Sequence, residues 1–338
     1  MIQEILQKLK KKQDLNFDDC EFFIQKSISG EISEQEKIEI LIEQNKKGIT
    51  PEEISYFVKI ISGDKFPEKP NEEIFDNCGT GGSKLSRINV STTCAFVLAA
   101  VGVKIAKHGN KAASGRFGSF DLLEKLGFKI DLDFSRSKEI FEKLGIAFFF
   151  APKIFPQIGT FTLTRKKIGE PTIFNLLGPL LSPLFPANQL IGTSSEKNAE
   201  LIIHAAKNLR KKRVIVILGD KNLDEFSPTG KNQIWNLENE EIQTLEIYAK
   251  NFGLPEKNHS EILVKNPEEN VIITEKFLRG EILDNTIADL LFCNCALGLK
   301  VANIEKSLPR GIEISRQIIK SGNAFSIFEK LKKMTNEN

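Results

Sequence analysis

The chain has 338 residues, of which 41% are hydrophobic, 27% charged and 8% aromatic, the mixture of an ordinary globular protein. Its 47 basic and 45 acidic residues leave a net charge of +2, so no global field recruits nucleic acid or a membrane surface. The five cysteines (Cys20, Cys78, Cys94, Cys293 and Cys295) are odd in number and scattered, and one C-x-C is a poor zinc signal, so reduced thiols are expected.

The N-terminal MIQEILQKLKKKQDL reads as an amphipathic helix, without the continuous apolar core of an export signal. No run approaches ~18 uninterrupted apolar residues, so no membrane span is expected. Residues 1–66 read as helices: Ile2, Ile5, Leu6 and Leu9 recur at helical spacing, as do Ile38, Leu41 and Ile42. Thr50-Pro51-Glu52-Glu53 is a helix start, with Thr as N-cap, Pro at the first position and Glu at the third. Phe66 to Pro70, with two prolines, is the linker that ends this helical part.

From Ile74 short β-rich runs alternate with helices, which predicts a mostly parallel sheet. The expected strands are Val103–Ala106, Lys129–Leu132, Ala147–Phe150, Gln189–Gly192 and Val214–Leu218. Helices are expected over Ser119–Leu126 and Glu196–Leu209. Arg165, Lys166 and Lys167 precede a short apolar helix, Ile173–Leu177, closed by Gly178-Pro179, and the chain is helical again from about Glu268. In open α/β sheets ligands sit beyond the C-terminal strand ends. The loops at Gly79, at Lys107–Asn110, at Ala151-Pro152 and at Gly219-Asp220 fall there.

The densest chemistry lies between Asp76 and Asp121. Gly79-Thr80-Gly81-Gly82 offers backbone amides. Asn89-Val90-Ser91-Thr92-Thr93 places hydroxyls and an amide before a helix expected from about Cys94 to Val101. Lys107-His108-Gly109-Asn110 follows the next strand and leads into a small-residue loop, Ala112 to Ser119, with Ser119 read as the cap of the next helix. Two such loops suggest a phosphate-rich ligand between them. No Gly-Lys-Ser/Thr follows the glycines at P-loop spacing, and no G-x-G-x-x-G is present. Four glycine-rich residues alone would be a tight turn; their combination within one βαβ span points to a site. Asp224-Glu225 after Val214–Leu218 is a pair of hard oxygen ligands suited to Mg²⁺, although such a pair taken alone is more often a solvated loop charge. No histidine is singled out as a general base.

DNCGTGG, NVST, KHGN, GSFDLLEKLG and TIFNLLGPLLSP together resemble the anthranilate phosphoribosyltransferases of the nucleoside phosphorylase/phosphoribosyltransferase family, nearly end to end. The resemblance implies a small N-terminal helical domain (1–66, with a return segment near 165–182) and a larger α/β domain (67–338), with the active site in the cleft between them. It implies transfer of a phosphoribosyl group from phosphoribosyl pyrophosphate to anthranilate in tryptophan biosynthesis, with Mg²⁺, by a cytoplasmic homodimer joined through the helical domain. Phosphoribosyl pyrophosphate would meet Gly79, Gly82, Ser83, Arg87, Asn89, Val90, Ser91, Thr92, Lys107, Ser114, Gly115 and Ser119. Anthranilate would meet Gly79, Asn110 and Arg165, whose guanidinium fork suits a carboxylate. Ser91, Asp224 and Glu225 would hold the metal.

Several positions depart from the family pattern. Ser83-Lys84 stands where Asp-Gly is common, Arg87 where a small hydroxyl is usual, and Lys111 in place of arginine. Gly115, Phe155, Pro171 and Ser182 replace serine, histidine, arginine and asparagine. Two other readings compete. One is a pyrimidine nucleoside phosphorylase-like enzyme, hinted at by Ser114-Gly115-Arg116; the other is a non-catalytic paralogue binding nucleic acid, against which the near-neutral charge and Asp224-Glu225 argue.

Overall fold

The computed structural model describes residues 1–63, 66–80, 88–112 and 117–337. Gly82, Ser83, Arg87, Ser114 and Gly115 lie outside the described residues. The chain opens with α1 (Ile2–Lys10), α2 (Phe17–Ile28), α3 (Glu34–Lys47) and α4 (Pro51–Ser62). Three of these begin with reciprocal caps: Asn16 with Asp19, Ser33 with Glu36, and Thr50 with Glu53. Glu53 does more than cap. Fully buried, it accepts from Leu15 N at 3.0 Å and pairs with buried Lys47 Nζ at 2.9 Å, so one carboxylate ties three helical segments. Removing one partner of such a buried pair typically costs about 3–5 kcal/mol.

The remaining elements are β1 (Asn71–Gly79), α5 (Val90–Ala100), β2 (Lys104–Gly109), α6 (Ser119–Lys125), α7 (Phe134–Leu144) and β3 (Ile146–Phe150). There follow α8 (Ala151–Ile154), α9 (Thr162–Ile168), α10 (Phe174–Leu177), β4 (Pro186–Gly192), α11 (Glu196–Asn208) and β5 (Arg213–Leu218). The last are β6 (Asn232–Glu238), β7 (Glu241–Ile247), α12 (Pro267–Leu278), α13 (Thr286–Val301), α14 (Leu308–Lys320) and α15 (Asn323–Asn336). Among the described residues the strands form a seven-stranded sheet in the order β3-β2-β1-β4-β5-β6-β7, parallel from β3 to β5 and antiparallel from there on. The fold is α/β with a mostly parallel sheet, as the alternation of runs predicts. β4 is buried at every position, as expected for a strand covered on both faces.

Register sets the height of the strand ends. Gly79 pairs with Gly192, Gly192 with Ile217, and Gly109 with Phe150, so the C-terminal ends of β1, β4 and β5 finish level on one edge. The segment after β3 leaves the sheet and packs on the helices of the N-terminus. Phe161 meets Phe23 at 5.8 Å and Phe174 at 4.4 Å, and Phe174 meets Phe57 at 5.9 Å. Asn45 donates to Pro171 O at 2.7 Å and Gln157 to Ile61 O at 2.7 Å, closing this seam with polar bonds.

Four expectations change. Lys129–Leu132 is not a strand: its alternating pattern has no neighbouring strand to pair with, and it leads to Asp133, the N-cap of α7, whose carboxylate accepts from Arg136 N at 2.8 Å. β6 and β7 add a hairpin that the sequence pattern does not announce, because β7 is a polar edge strand and the turn between them, Asn239-Glu240, carries no glycine though both residues have positive φ. α5 begins at Val90 rather than Cys94. Ser119 is the first residue of α6, one position too late to cap it; Gly118 is the N-cap, and its N–H donates to Asp121 Oδ2 at 2.8 Å. Among the described residues no helix is long and apolar enough to cross a membrane.

Candidate active site at the strand ends

Three loops meet at the level edge. The first leaves β1, where Thr80 N donates to Gly192 O at 2.8 Å, and the chain re-enters the described region at Ile88 before α5. Asn89 ties this loop to the second: its Nδ2 donates to Gly118 O at 3.1 Å, and its own N–H is taken by Asn270 Oδ1 at 3.1 Å. Val90 is buried, and Thr92 is fully buried within α5. Ser91 is held on two sides. Asn77 Nδ2 donates to its carbonyl at 2.7 Å, and Lys107 Nζ lies 3.1 Å from its Oγ while also donating to Asn77 O.

Lys107 therefore sits inside the sheet, 2% exposed, and its ammonium is turned onto the start of α5. Burial pulls its pKa below the usual lysine range, with the Asp76 carboxylate opposing that shift. Asp76, fully buried in β1, has its carboxyl pushed up to about 6 by burial, against the pull of Lys107 and Lys211 and hydrogen bonds from His108 N–H and Ser182. The residue pair beneath Ser91, Asp76 with Asn77, is a part of the site that sequence reasoning missed. Its one signal is polarity directly after the apolar Ile74-Phe75, within the buried stretch of β1.

The second loop follows β2. Asp121 Oδ2 accepts from Ala112 N at 2.9 Å as well as from Gly118 N, closing the loop on itself. Ser119 Oγ donates to Asn110 O at 3.4 Å, so Ser119 and Asn110 stand together, with Asn110 exposed. A side chain at Gly109 would put its Cβ 2.6 Å from Ser119 Oγ and 3.0 Å from the Phe120 ring, so these side chains would have to shift to admit it. Lys111, one of the departures, pairs with Glu124 at 2.8 Å on the surface.

The third loop carries Asp224 and Glu225. Lys221 and Asn222 both adopt positive φ and turn the chain back after β5, and Gly219 N donates to Leu223 O at 2.7 Å. The loop then crosses the strand ends so closely that a Cβ at Gly192 would collide with Asp224 O, and one at Gly219 with Glu225 O. Gly79 faces the Asp224 carboxylate, whose Oδ2 lies 2.8 Å from where a Cβ would stand. The structure thus brings Gly79 and Asp224 together. Gly192 and Gly219 have a role that sequence reasoning did not assign, although each ends or follows an apolar run.

Arg165 belongs to the helical side. It lies in α9, which packs against α3, and its half-buried guanidinium stands over the Phe174 ring at 5.9 Å. Burial lowers its pKa, and it remains a cation at any ordinary pH. Phe155, another departure, is buried edge-on to His108 at 5.9 Å. Burial brings His108 down to about 4, opposed by a hydrogen bond to the Gly178 backbone, so its ring is neutral.

Among the described residues no cluster of three or more His, Cys, Asp or Glu could hold a metal. The Asp224 carboxylate laid against Gly79, with Glu225 next to it in the chain, nevertheless fits Mg²⁺, which keeps several waters and shares substrate phosphates rather than needing a full protein cage.

The glycosyl transferase family, a/b domain, matches residues 71–325. The chain is 36% identical to the anthranilate phosphoribosyltransferase of Petrotoga mobilis, over 99% of this chain and 97% of that one. It is similar in structure to the anthranilate phosphoribosyltransferase of Saccharomyces cerevisiae in complex with phosphoribosyl pyrophosphate and Mg, at TM-score 0.88 and 26% identity, covering 99% and 97% of the two chains. The same yeast enzyme in complex with 4-fluoroanthranilate matches at TM-score 0.86 and 26% identity, covering 99% and 98%.

The neutral His108 has a measurable consequence. Its folded pKa of about 4 lies below the ordinary 6.5, so the unfolded chain takes up the proton first. Stability from this group is present above about pH 6.5 and lost as pH falls toward about 4. Thermal unfolding from pH 7.5 to pH 5 should show wild type losing stability relative to His108→Gln, which has no such proton to bind. Parallel curves for the two proteins would mean that His108 is not held neutral.

Proposed function

This chain belongs to the anthranilate phosphoribosyltransferase family, and from that premise we infer that it transfers the phosphoribosyl group of phosphoribosyl pyrophosphate to the amine of anthranilate in tryptophan biosynthesis. The observation that carries the reading is the Asp224 carboxylate held over Gly79 at the edge where Ser91 lies in the first turn of α5. The C1–O bond to diphosphate breaks, an N–C1 bond forms, and the amine proton leaves afterwards to solvent. No strong protein nucleophile is needed, because an aromatic amine is already a free nucleophile at neutral pH. The protein's task is to hold two reactants in line and to stabilise a departing anion.

Ser91, Asp224 and Glu225 would hold Mg²⁺, which when bound neutralises charge on the diphosphate. The start of α5 presents backbone N–H groups and the positive end of the helix to the same anion. Lys107 acts from beneath, fixing Ser91 Oγ and adding a buried positive charge behind it. Asn89, bonded to Gly118 O, keeps the two phosphate-side loops at a fixed spacing. Ser119 and Asn110, themselves in contact, extend that wall. Arg165 faces the carboxylate of anthranilate from the helical side, with Gly79 and Asn110 opposite. Gly82, Ser83, Arg87, Val90, Thr92, Ser114 and Gly115 complete the donor site in this reading.

The helical part (1–66, with the return near 165–182) and the α/β part (67–338) form the two walls, in a cytoplasmic homodimer joined through the helical part. Exposed Phe17, Ile28 and Leu163 on that side support such a contact. A monomer mass in sedimentation would overturn it.

Protein, Mg²⁺, phosphoribosyl pyrophosphate and anthranilate should together consume anthranilate fluorescence. Asp224→Asn with Glu225→Gln should abolish most of that rate while thermal unfolding stays cooperative; wild-type turnover in this variant at ordinary Mg²⁺ would remove the metal assignment. Arg165→Ala should raise KM for anthranilate roughly ten- to a hundredfold, the loss of a charge-assisted bond worth about 1.5–3 kcal/mol. An equal rise in KM for phosphoribosyl pyrophosphate would place Arg165 elsewhere.

A further inference from the structure

Directly after Glu225 come Phe226 and Ser227, and a different buried asparagine grips the backbone N–H and C=O of each. Asn294, in the middle of α13 and 4% exposed, accepts from Phe226 N at 3.1 Å. Its Nδ2 donates to Phe226 O at 2.9 Å and to Leu290 O at 2.8 Å. Asn232, fully buried at the start of β6, accepts from Ser227 N at 2.7 Å and donates to Ser227 O at 2.8 Å. A primary amide offers one acceptor and two donors in a plane, so each asparagine mimics a neighbouring strand for one residue.

Asn294 is the informative one. Nearly every residue of α13 is buried, and an apolar side chain would satisfy the helix at this position at no polar cost. The polar group is instead used on the peptide that follows the carboxylate pair, and it spans 68 residues of chain to reach it. From the opposite side, Gly192 and Gly219 let the same loop press on the strand ends. The loop is therefore fixed from below by glycines and from behind by an amide, so the backbone that carries its carboxylates is set before any ligand arrives.

We propose that Asn294 is a positioning residue for Asp224 and Glu225: it holds the Phe226 peptide so that both carboxylates stand at the height where Mg²⁺ and the diphosphate meet. This rests on the reading of those two residues as metal ligands. Groups that orient ligating carboxylates typically change metal affinity by 10–100-fold when removed. A residue that only supports the core would lower stability and leave metal dependence alone.

The test measures phosphoribosyl pyrophosphate binding by calorimetry as Mg²⁺ is varied, in wild type, Asn294→Ala, Asn294→Ser and Asp224→Asn/Glu225→Gln. The single tryptophan, Trp235, buried in β6, reports folding of each. The Asn294 variants should need roughly tenfold more Mg²⁺ for half-saturation, with KM for anthranilate at saturating Mg²⁺ unchanged. If the carboxylate variant keeps wild-type Mg²⁺ dependence, the metal reading fails. If that variant loses it while folded Asn294 variants keep it, the positioning role fails and the function stands. Should neither Asn294 variant fold, hydrogen exchange of the wild-type segment 224–228 without metal decides: slow exchange is expected from a preset loop, and exchange at the rate of an open loop overturns the proposal.

Discussion

The site depends on one steric constraint, the passage of the Asp224–Glu225 loop across the ends of β1, β4 and β5. The loop backbone lies where a Cβ at Gly192 or Gly219 would stand, and the Asp224 carboxylate lies against Gly79. Gly79 and Gly192 must therefore sit level, and the parallel register that pairs them, and Gly192 with Ile217 two residues before Gly219, puts them there. A slip of one residue would bring Cys78 or Ile191 under the loop and reverse which face each side chain of the strand covers. The register of a buried parallel sheet is thus also the geometry of the carboxylates.

A second constraint is electrostatic. Asp76 and Lys107 are both inside the sheet, and an isolated charge there would cost several kcal/mol. Each is compensated by the other and by hydrogen bonds: Asp76 from Gln189 Nε2, and Lys107 onto Asn77 O and Ser91 Oγ. The same bonds that satisfy the lysine also orient the first turn of α5. The contacts that stabilise the buried lysine thus also tie the loop before α5 to the core of the sheet.

The helical side is joined differently, through aromatic packing. Phe23, Phe57, Phe161 and Phe174 form a continuous seam that holds α9 and α10 on the N-terminal helices. Arg165 rides on that seam, over Phe174, so the position of its guanidinium follows the helices and not the sheet. The two sides are thus set by different means, the loops at the strand ends by register and the Arg165 cation by helix packing.

Local patterns by themselves determined a good deal. The capping signature at Thr50–Glu53 and the apolar runs of β2 to β5 are written in adjacent residues, and the structure bears them out. The motifs of residues 76–121 and 172–183 also pointed to the family to which the chain belongs. What failed were features whose cause lies elsewhere in the chain. Lys129–Leu132 alternates like a strand but lacks a partner, and β7 lacks the apolar pattern but gains its partner from β6. Ser119 could be mistaken for a cap because only the backbone angles of Gly118 reveal which residue precedes the helix. Gly192, Gly219 and Asn294 show no chemistry in their own neighbourhoods. Their meaning arises when folding lays the Asp224–Glu225 loop against them, across 68 residues of chain in the case of Asn294. Only the tertiary structure decides such contacts, because close approach and hydrogen-bond geometry are properties of pairs and not of single residues.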